Sequence, residues 1–488
     1  MSDPVKLAIE SIRFYVRNVR TRLPFKYGKA ELVAAPVLHV RMRIVGEGGE
    51  RVEGYSAETL PPKWFDKNPK KDFRQNVEDL LTAIRSGAAC YQEAATSVSS
   101  FFRLWAVAYR RTQAVVAIKG INGLTASFSS SLFERALIDG VCKLAKTSFP
   151  TCVCRNLLGL EPEKVHPELK GRTIEGSFSC EPPDSICIRH TVGLADPVAE
   201  LDIPEGERLE DGLPQSLEAW IARFGIRFFK VKVMGDLGFD LERLERISRL
   251  LDNSASPDSR VSLDGNEAFS NIDTLHNWIE VVSKRDNLRS LMNRVLYIEQ
   301  PLGRSIAFHP DVTDSLRIFR HHGPVIIDES DDALGTFKTA VDLGYRGVSV
   351  KNCKGVIKGL LNKMLVDYYR EVHHEDFILT GEDLMILPVV SLHQDLSTHN
   401  VLGLEHVERN GHHYCRGLDH LSEKERSDCL EHHATLYEPF DGSVRLKIRD
   451  GKIDLRSLRQ SGYGSCMEPD FDSMIPLEDW SFDSLGSS

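Results

Sequence analysis

No stretch of about eighteen apolar residues runs anywhere in the sequence, so no membrane-spanning helix is written into it. The opening M-S-D-P-V-K lacks the apolar core of a secretion signal, and the expectation that follows is a cytoplasmic protein without a membrane partner. Basic charge is not in excess either. Sixty-one Lys and Arg against 71 Asp and Glu leave a formal charge of −10. No basic stripe remains to neutralise phosphates, which argues against a nucleic-acid partner. An anionic substrate would have to be held by local cations.

The ten cysteines are scattered, with no C-x-x-C among them. Cys152 and Cys154 in T-C-V-C-R are the one close pair, and reduced thiols are the simplest expectation. No H-E-x-x-H is present. The dense histidines His393, His399, His406, His412, His413 and His420 are therefore read as solvated loop residues or as core residues with a satisfied partner.

What the chain does have is a series of short β-branched or aromatic runs, each ending in a charged residue that packing does not require. They are R-F-F-K-V-K-V-M (Arg227–Met234), V-S-L-D-G-N (Val261–Asn266), V-L-Y-I-E-Q-P (Val295–Pro301), V-I-I-D-E-S (Val325–Ser330) and G-V-S-V-K (Gly347–Lys351). They follow one another at roughly thirty residues, which leaves room for one helix and two loops between strands. Five such units in a row favour a closed (β/α) barrel over an open sheet.

Side chains at the C-terminal ends of barrel strands converge on one mouth, where catalytic groups are found. Lys230 and Lys232 share a strand face, because side chains alternate with period two. Asp264, Glu299, Asp328 and Lys351 join them. Three carboxylates meeting at a point repel one another unless a cation lies between them, and oxygen-only ligands suit Mg²⁺, which keeps open positions for water or substrate.

The order Lys-x-Lys, Asp, Glu, Asp, Lys on consecutive strands resembles the enolase superfamily, and within it the muconate lactonizing enzyme subgroup of the mandelate racemase/muconate lactonizing enzyme family. That resemblance implies an α/β fold: a (β/α)7β modified TIM barrel with an α+β N-terminal capping domain completed by the C-terminal segment. It implies one Mg²⁺ held by Asp264, Glu299 and Asp328, an acid/base pair in Lys232 and Lys351, and Lys230 beside the substrate carboxylate. The partner it implies is a small-molecule carboxylate, and it leaves a homo-oligomer open.

The remaining segments fit that outline in part. Ala8–Val19 alternates as a strand, Arg20–Gly28 reads as a loop, and Val37–Val45 and Arg51–Ser56 read as a hairpin. R-x-P-F and E-G-Y-S-A-E resemble the family's specificity segments, which makes Arg22 and Tyr55 candidate substrate contacts. The alternative is an ordinary surface loop with a structural arginine. Asp72 to about Ala145 is helical in pattern, and F-E-R-A-L-I-D and L-L-G-L resemble the capping domain. The tract Phe101–Ser131 is longer than the family pattern, and no role is read for it.

Capping domain 1–180, barrel 185–435 and a C-terminal return over 436–488 are the expected boundaries. Glu161–Ser185 reads as a linker or an insertion, and Ser185–Leu194 as the first strand. Asp376–Asp383 and Val401–Glu408 would be the seventh and eighth strands, with Glu405 and Glu408, like Asn266, as candidate substrate contacts. Val444–Leu455 would add strands back to the cap, and the acidic tail from about Met467 would be mobile.

The implied reaction is Mg²⁺-dependent removal of the proton α to a carboxylate, through an enolate, by two opposed lysines. Racemisation or epimerisation, cycloisomerisation and syn-dehydration all use that pair. A sugar-acid dehydratase of the mandelate racemase type is the alternative from another class. It places a His on strand seven and an Asp on strand six, where this chain has Thr380–Glu382 and Lys351. A non-catalytic barrel that only binds is the third reading.

Overall fold

A computed structural model describes residues 3–27, 30–319 and 323–486. Eight parallel strands form the centre: β5 (Ser185–Val192), β6 (Phe228–Lys232), β7 (Arg260–Asp264), β8 (Val295–Glu299), β9 (Val325–Ile326), β10 (Gly347–Val350), β11 (Ile378–Gly381) and β12 (His406–Arg409). Each pairs with the next, β12 pairs back onto β5, and a bridge between Ile327 and Val348 joins β9 to β10, so the barrel closes. Helices lie between consecutive strands, from Leu217–Phe224 to Val390–Val401, which makes seven βα units and a final strand.

Most of these strands are four or five residues long, and every residue of β6 and β10 is buried, so both of their faces are covered. The expected eighth strand begins later than its sequence suggested. Val401 ends a helix, and the strand starts at His406.

The cap precedes the barrel. Strands β1 (Lys6–Tyr27), β2 (Ala30–Gly46) and β3 (Arg51–Thr59) form an antiparallel sheet, with the two-residue β4 (Ser99–Ser100) on the outer edge of β1. The loop expected over Arg20–Gly28 is strand to Tyr27, broken by a register shift between Arg20 and Phe25; Gly28 lies outside the described residues. Against the sheet pack α1 (Phe73–Ala94), α2 (Phe101–Ile118) and α3 (Gly123–Leu144).

The tract Phe101–Ser131 is thus α2 and the first half of α3. Phe101, Leu104, Trp105, Ala108, Thr112 and Val116 recur at helical spacing and are buried, which docks α2 on its neighbours. Helix α3 is buried along nearly its whole length. Gly54 of β3 lies so close to the Ala136 carbonyl that any side chain there would clash.

Three expectations about the periphery are corrected. Val444–Leu455 does not return to the cap: β13 (Tyr437–Phe440) and β14 (Ser443–Leu446) form a separate hairpin, and β15 (Lys452–Asp454) pairs antiparallel with the start of β5, on the barrel. The return is made later, by the tail expected to be mobile. There β16 (Ile475–Pro476) pairs with β1, Trp480 Nε1 donates to Asn18 Oδ1 at 2.9 Å, and Met467, Phe471, Met474, Leu477 and Leu485 are buried. Apolar residues spaced through an acidic segment supply the burial that its charge seemed to rule out. Lastly, Cys154 and Cys180 form a disulfide, with Cα atoms 5.2 Å apart, so not every thiol is free.

Candidate active site

Strand register brings the charged ends together. Lys232 pairs with Asp264, and Asp264 with Glu299, on consecutive strands. Period-two alternation puts Lys230 one layer below Lys232 on the same inward face. Asp264, Glu299 and Asp328 are fully buried, and Lys230, Lys232 and Lys351 are 1%, 7% and 3% exposed.

The two lysines assigned to acid/base work each hold a different carboxylate. Lys232 Nζ donates to Asp264 Oδ2 at 2.5 Å, and Lys351 Nζ to Asp328 Oδ2 at 2.8 Å. Lys230 occupies the middle. Its Nζ is 3.0 Å from Asp264 Oδ2, 3.0 Å from Glu299 Oε1, 2.7 Å from Glu382 Oε2 and 3.1 Å from Glu408 Oε2.

The electrostatics follow from that crowding. Burial opposes charge on Lys230, but the four surrounding carboxylates outweigh it and hold the ammonium far above the ordinary lysine range. Burial and the neighbouring Asp264 and Glu382 push the Glu299 carboxyl well up. Asp328 is held well down in spite of burial, by Lys351 and Lys354. Burial likewise opposes charge on Lys351, and the Asp328 carboxylate outweighs it and raises this lysine above its ordinary range.

Three further groups complete the cluster, and two of them, Arg189 and Lys354, escape a reading of strand ends alone. Glu382 closes the strand-seven run L-T-G-E-D. Its carboxylate also takes Arg189, from inside β5, and a hydrogen bond from Thr380 Oγ1 at 2.9 Å. Lys354 lies three residues past Lys351, and its Nζ bonds Asp328 Oδ1 at 3.1 Å. Inward alternation in C-I-R-H-T-V flags Arg189; nothing local flags Lys354.

Over this floor lies a pocket shared by cap and barrel. Lys230, Lys232, Lys351, Asn266 and Glu408 line it below, and Phe25, Leu32, Pro61 and Trp64 of the cap line it above. The Trp64 ring lies 4.5 Å from Lys351 Nζ. Arg304 of the barrel fixes the cap loop that carries Trp64: its Nη1 donates to Phe65 O at 2.9 Å and its Nη2 to Trp64 O at 3.0 Å, while Glu267 pairs with the same guanidinium.

Asn266 and Glu408 line this pocket, and three other candidates do not. Arg22 is spent on structure, paired with Asp211 at 2.5 Å and donating to Pro214 O and His413 O. Tyr55 is buried in a cap cluster, its ring 5.6 Å from Phe471 and 4.0 Å from Lys143 Nζ. Glu405 is exposed and precedes β12, so it lies at the end of the strand away from the mouth. Of the six histidines, His393, His399 and His413 are buried and His406, His412 and His420 half-buried; burial pushes His413 down to about 3, and its Nδ1 accepts from Trp220.

The donor chemistry of Asp264, Glu299 and Asp328 fits a hard divalent cation, since all three are buried oxygen ligands that repel one another. Among the described residues no three such side chains converge on one point closely enough to hold a metal. Lysines neutralise them instead.

The chain thus forms a closed (β/α)7β barrel under an α+β cap, with its charged strand ends opening toward that cap. No protein-family model matches the chain, and no curated protein matches it. Solved structures do. A dipeptide epimerase from Cytophaga hutchinsonii, solved with Mg and the dipeptide D-Ala-L-Val, is 14% identical with a TM-score of 0.57, over 96% of this chain and 99% of that one. A muconate lactonizing enzyme from Pseudomonas fluorescens, complexed with muconolactone, is 18% identical with a TM-score of 0.53, over 95% and 97%. An enolase from Bradyrhizobium, complexed with magnesium and mandelic acid, is 14% identical with a TM-score of 0.55, over 97% of each chain. At these identities the likeness establishes the fold. Among the described residues no helix is long and apolar enough to cross a membrane.

Proposed function

We propose that the chain is an enzyme that removes the proton α to the carboxylate of a small molecule, with Lys232 and Lys351 as opposed acid/base groups and one Mg²⁺. The observation that carries this reading is that lysines from the second and sixth barrel strands open on one buried pocket while each is bonded to a different carboxylate beneath it. The structural neighbours, solved with Mg, a dipeptide or mandelic acid, support the same class.

Taking a proton from carbon next to a carboxylate puts a second negative charge on that carboxylate. Mg²⁺ held by Asp264, Glu299 and Asp328 would stabilise that charge as it develops. The protein's own part is positional. One lysine Nζ takes the proton from one face of the carbon, and the other returns a proton to the opposite face or assists a leaving group. The nearly complete burial of all three lysines keeps water from competing.

The sugar-acid dehydratase reading is disfavoured by Glu382 at the end of strand seven, where that class needs a histidine. The intact set of lysines and carboxylates speaks against a barrel that only binds.

Proton NMR in D₂O tests the reading. Mixtures of dipeptides, N-acyl amino acids and sugar acids are offered with and without Mg²⁺, and an α-proton signal should disappear only when Mg²⁺ is present. Exchange at the same rate in excess chelator would remove the metal from the mechanism. Asp264→Asn and Glu299→Gln are each expected to weaken Mg²⁺ binding at least tenfold by titration calorimetry. Wild-type affinity in both variants would move the metal elsewhere.

A further inference from the structure

The loop 60–72, between β3 and α1, carries Trp64 over the barrel mouth. It contains no helix or strand, yet Trp64 is 6% exposed and Phe65 2%. A loop without internal structure stays in place only when something outside it holds it. Here the barrel does so, through the Arg304 guanidinium on the two backbone carbonyls, and Asn122 Nδ2 of the cap adds a bond to Phe65 O at 2.9 Å.

One carboxylate binds both cations of this arrangement. Glu267 accepts from Arg304 Nε at 3.0 Å, from Arg304 Nη2 at 2.9 Å and from the Arg304 backbone N–H at 2.8 Å. On its other side is Lys67, part of the loop itself, with Nζ 2.6 Å from Oε2 and a further bond to Asn266 O at 2.9 Å. Burial opposes the charge on Glu267, and Arg304 and Lys67 outweigh it, holding the carboxyl down to about 2. A two-pronged Arg–carboxylate pair fixes direction as well as distance. The chain accepts a costly backbone to put it there: Asn266 and Glu267 have φ of +43° and +68°, a region that residues with a Cβ seldom enter.

The clamped loop presents the Trp64 ring, 4.5 Å from Lys351 Nζ. A lysine ammonium rides on a flexible four-carbon stem, so its position is only as definite as its contacts. Asp328 holds Nζ at 2.8 Å, and the ring attracts the same charge. Resting on the assignment of Lys351 as an acid/base group, we infer that Glu267 is a positioning residue for that lysine: through Arg304 and Lys67 it clamps the cap loop to the barrel and keeps Trp64 against the Lys351 ammonium. The effect is one-sided, because Trp64 faces Lys351 while Lys232 is bonded to Asp264. Loss of the clamp therefore slows the reaction on one face of the substrate carbon, whereas a general loosening of the fold would slow both.

Glu267→Gln keeps the shape and removes the charge. Acrylamide quenching of tryptophan fluorescence reads the loop without substrate, the Trp64 contribution being the difference from Trp64→Leu in the same background. In Glu267→Gln the Trp64 quenching constant should rise by about twofold or more as the loop opens, with the remaining tryptophans unchanged. α-Proton exchange in D₂O with Mg²⁺ at saturating substrate is then followed for each enantiomer, the Lys351 face being the one that Lys351→Ala suppresses. Glu267→Gln should slow that enantiomer by about tenfold and the other by less than about twofold, since small misplacements of a reacting group are felt steeply. Trp64→Leu should act on the same face, and the double variant should be no slower than the slower single one, because the carboxylate acts through the ring. Lys67→Met, on the more exposed side of the clamp, should show both effects in smaller measure, and it carries the test if Glu267→Gln does not fold.

Unchanged quenching overturns the clamp. Equal slowing of both enantiomers, or a double variant slower than either single one, overturns the role toward Lys351 and leaves Glu267 a structural residue. A wild type that exchanges no α-proton of any carboxylate offered, with the rise in quenching intact, overturns the enolisation reading and leaves the clamp standing.

Discussion

Lys351→Ala is expected to slow α-proton exchange by about 10²- to 10⁴-fold on at least one face of the substrate carbon, the range set by loss of a positioned acid/base group. Lys232→Ala should do the same for the other face. The readout is decay of the α-proton signal in D₂O, followed separately for each enantiomer of the substrate. Neither change should unfold the protein. With Lys351 gone, Asp328 keeps the ammonium of Lys354 at 3.1 Å, and with Lys232 gone, Asp264 keeps Lys230 at 3.0 Å. A lost rate therefore reports on the chemistry, and matching urea midpoints for the variants and the wild type would show it. Full exchange of both enantiomers in both single variants would mean that the proton is carried by another group.

Those lysines and their carboxylates were legible because a parallel barrel strand is short, apolar on both faces and bounded by turns, so a charge at its end is conspicuous. Glu408 is legible for the same reason, as a charge at the end of the eighth strand. Legibility fails where a residue's partners come from far along the chain. Arg22 looks like a loop arginine free to meet a substrate, yet its acceptors lie at Asp211, Pro214 and His413. The tail looks solvated, yet Trp480 finds Asn18 from 462 residues away. Period and propensity describe neighbours in sequence, and neither announces such contacts. Glu405 fails for a different reason: the run Val401–Glu408 reads as one strand, but Val401 ends a helix and the strand begins at His406, so Glu405 stands just before its start, away from the mouth. Glu382 also stands at a recognisable strand end, but a lone Glu beside Asp383 carries no sign that it reaches Lys230.

Lys230→Met should be the most destabilising single change at the mouth. The ammonium it removes is shared by Asp264, Glu299, Glu382 and Glu408, all at most 2% exposed, and methionine has the length to fill the space without the charge. Removing one partner of a buried charge cluster costs about 3–5 kcal/mol, because the remaining charges keep their desolvation penalty and lose their attraction. The folded variant can relieve this by taking up protons, Glu299 first, since burial and the neighbouring Asp264 and Glu382 already push its carboxyl well up. Its cluster carboxyl groups would then titrate above their unfolded values, so that between those values and neutral pH the folded state binds more protons than the unfolded one. Stability then falls as pH rises across that window. Urea unfolding in EDTA should show the variant losing ground to the wild type from pH 5 to pH 8. Mg²⁺ should restore more stability to the variant than to the wild type, since a divalent cation can neutralise the Asp264 and Glu299 that the lysine no longer holds. A midpoint unchanged at every pH would mean that Lys230 does not neutralise the cluster, and a pH-dependent loss that Mg²⁺ leaves untouched would place the metal away from these carboxylates.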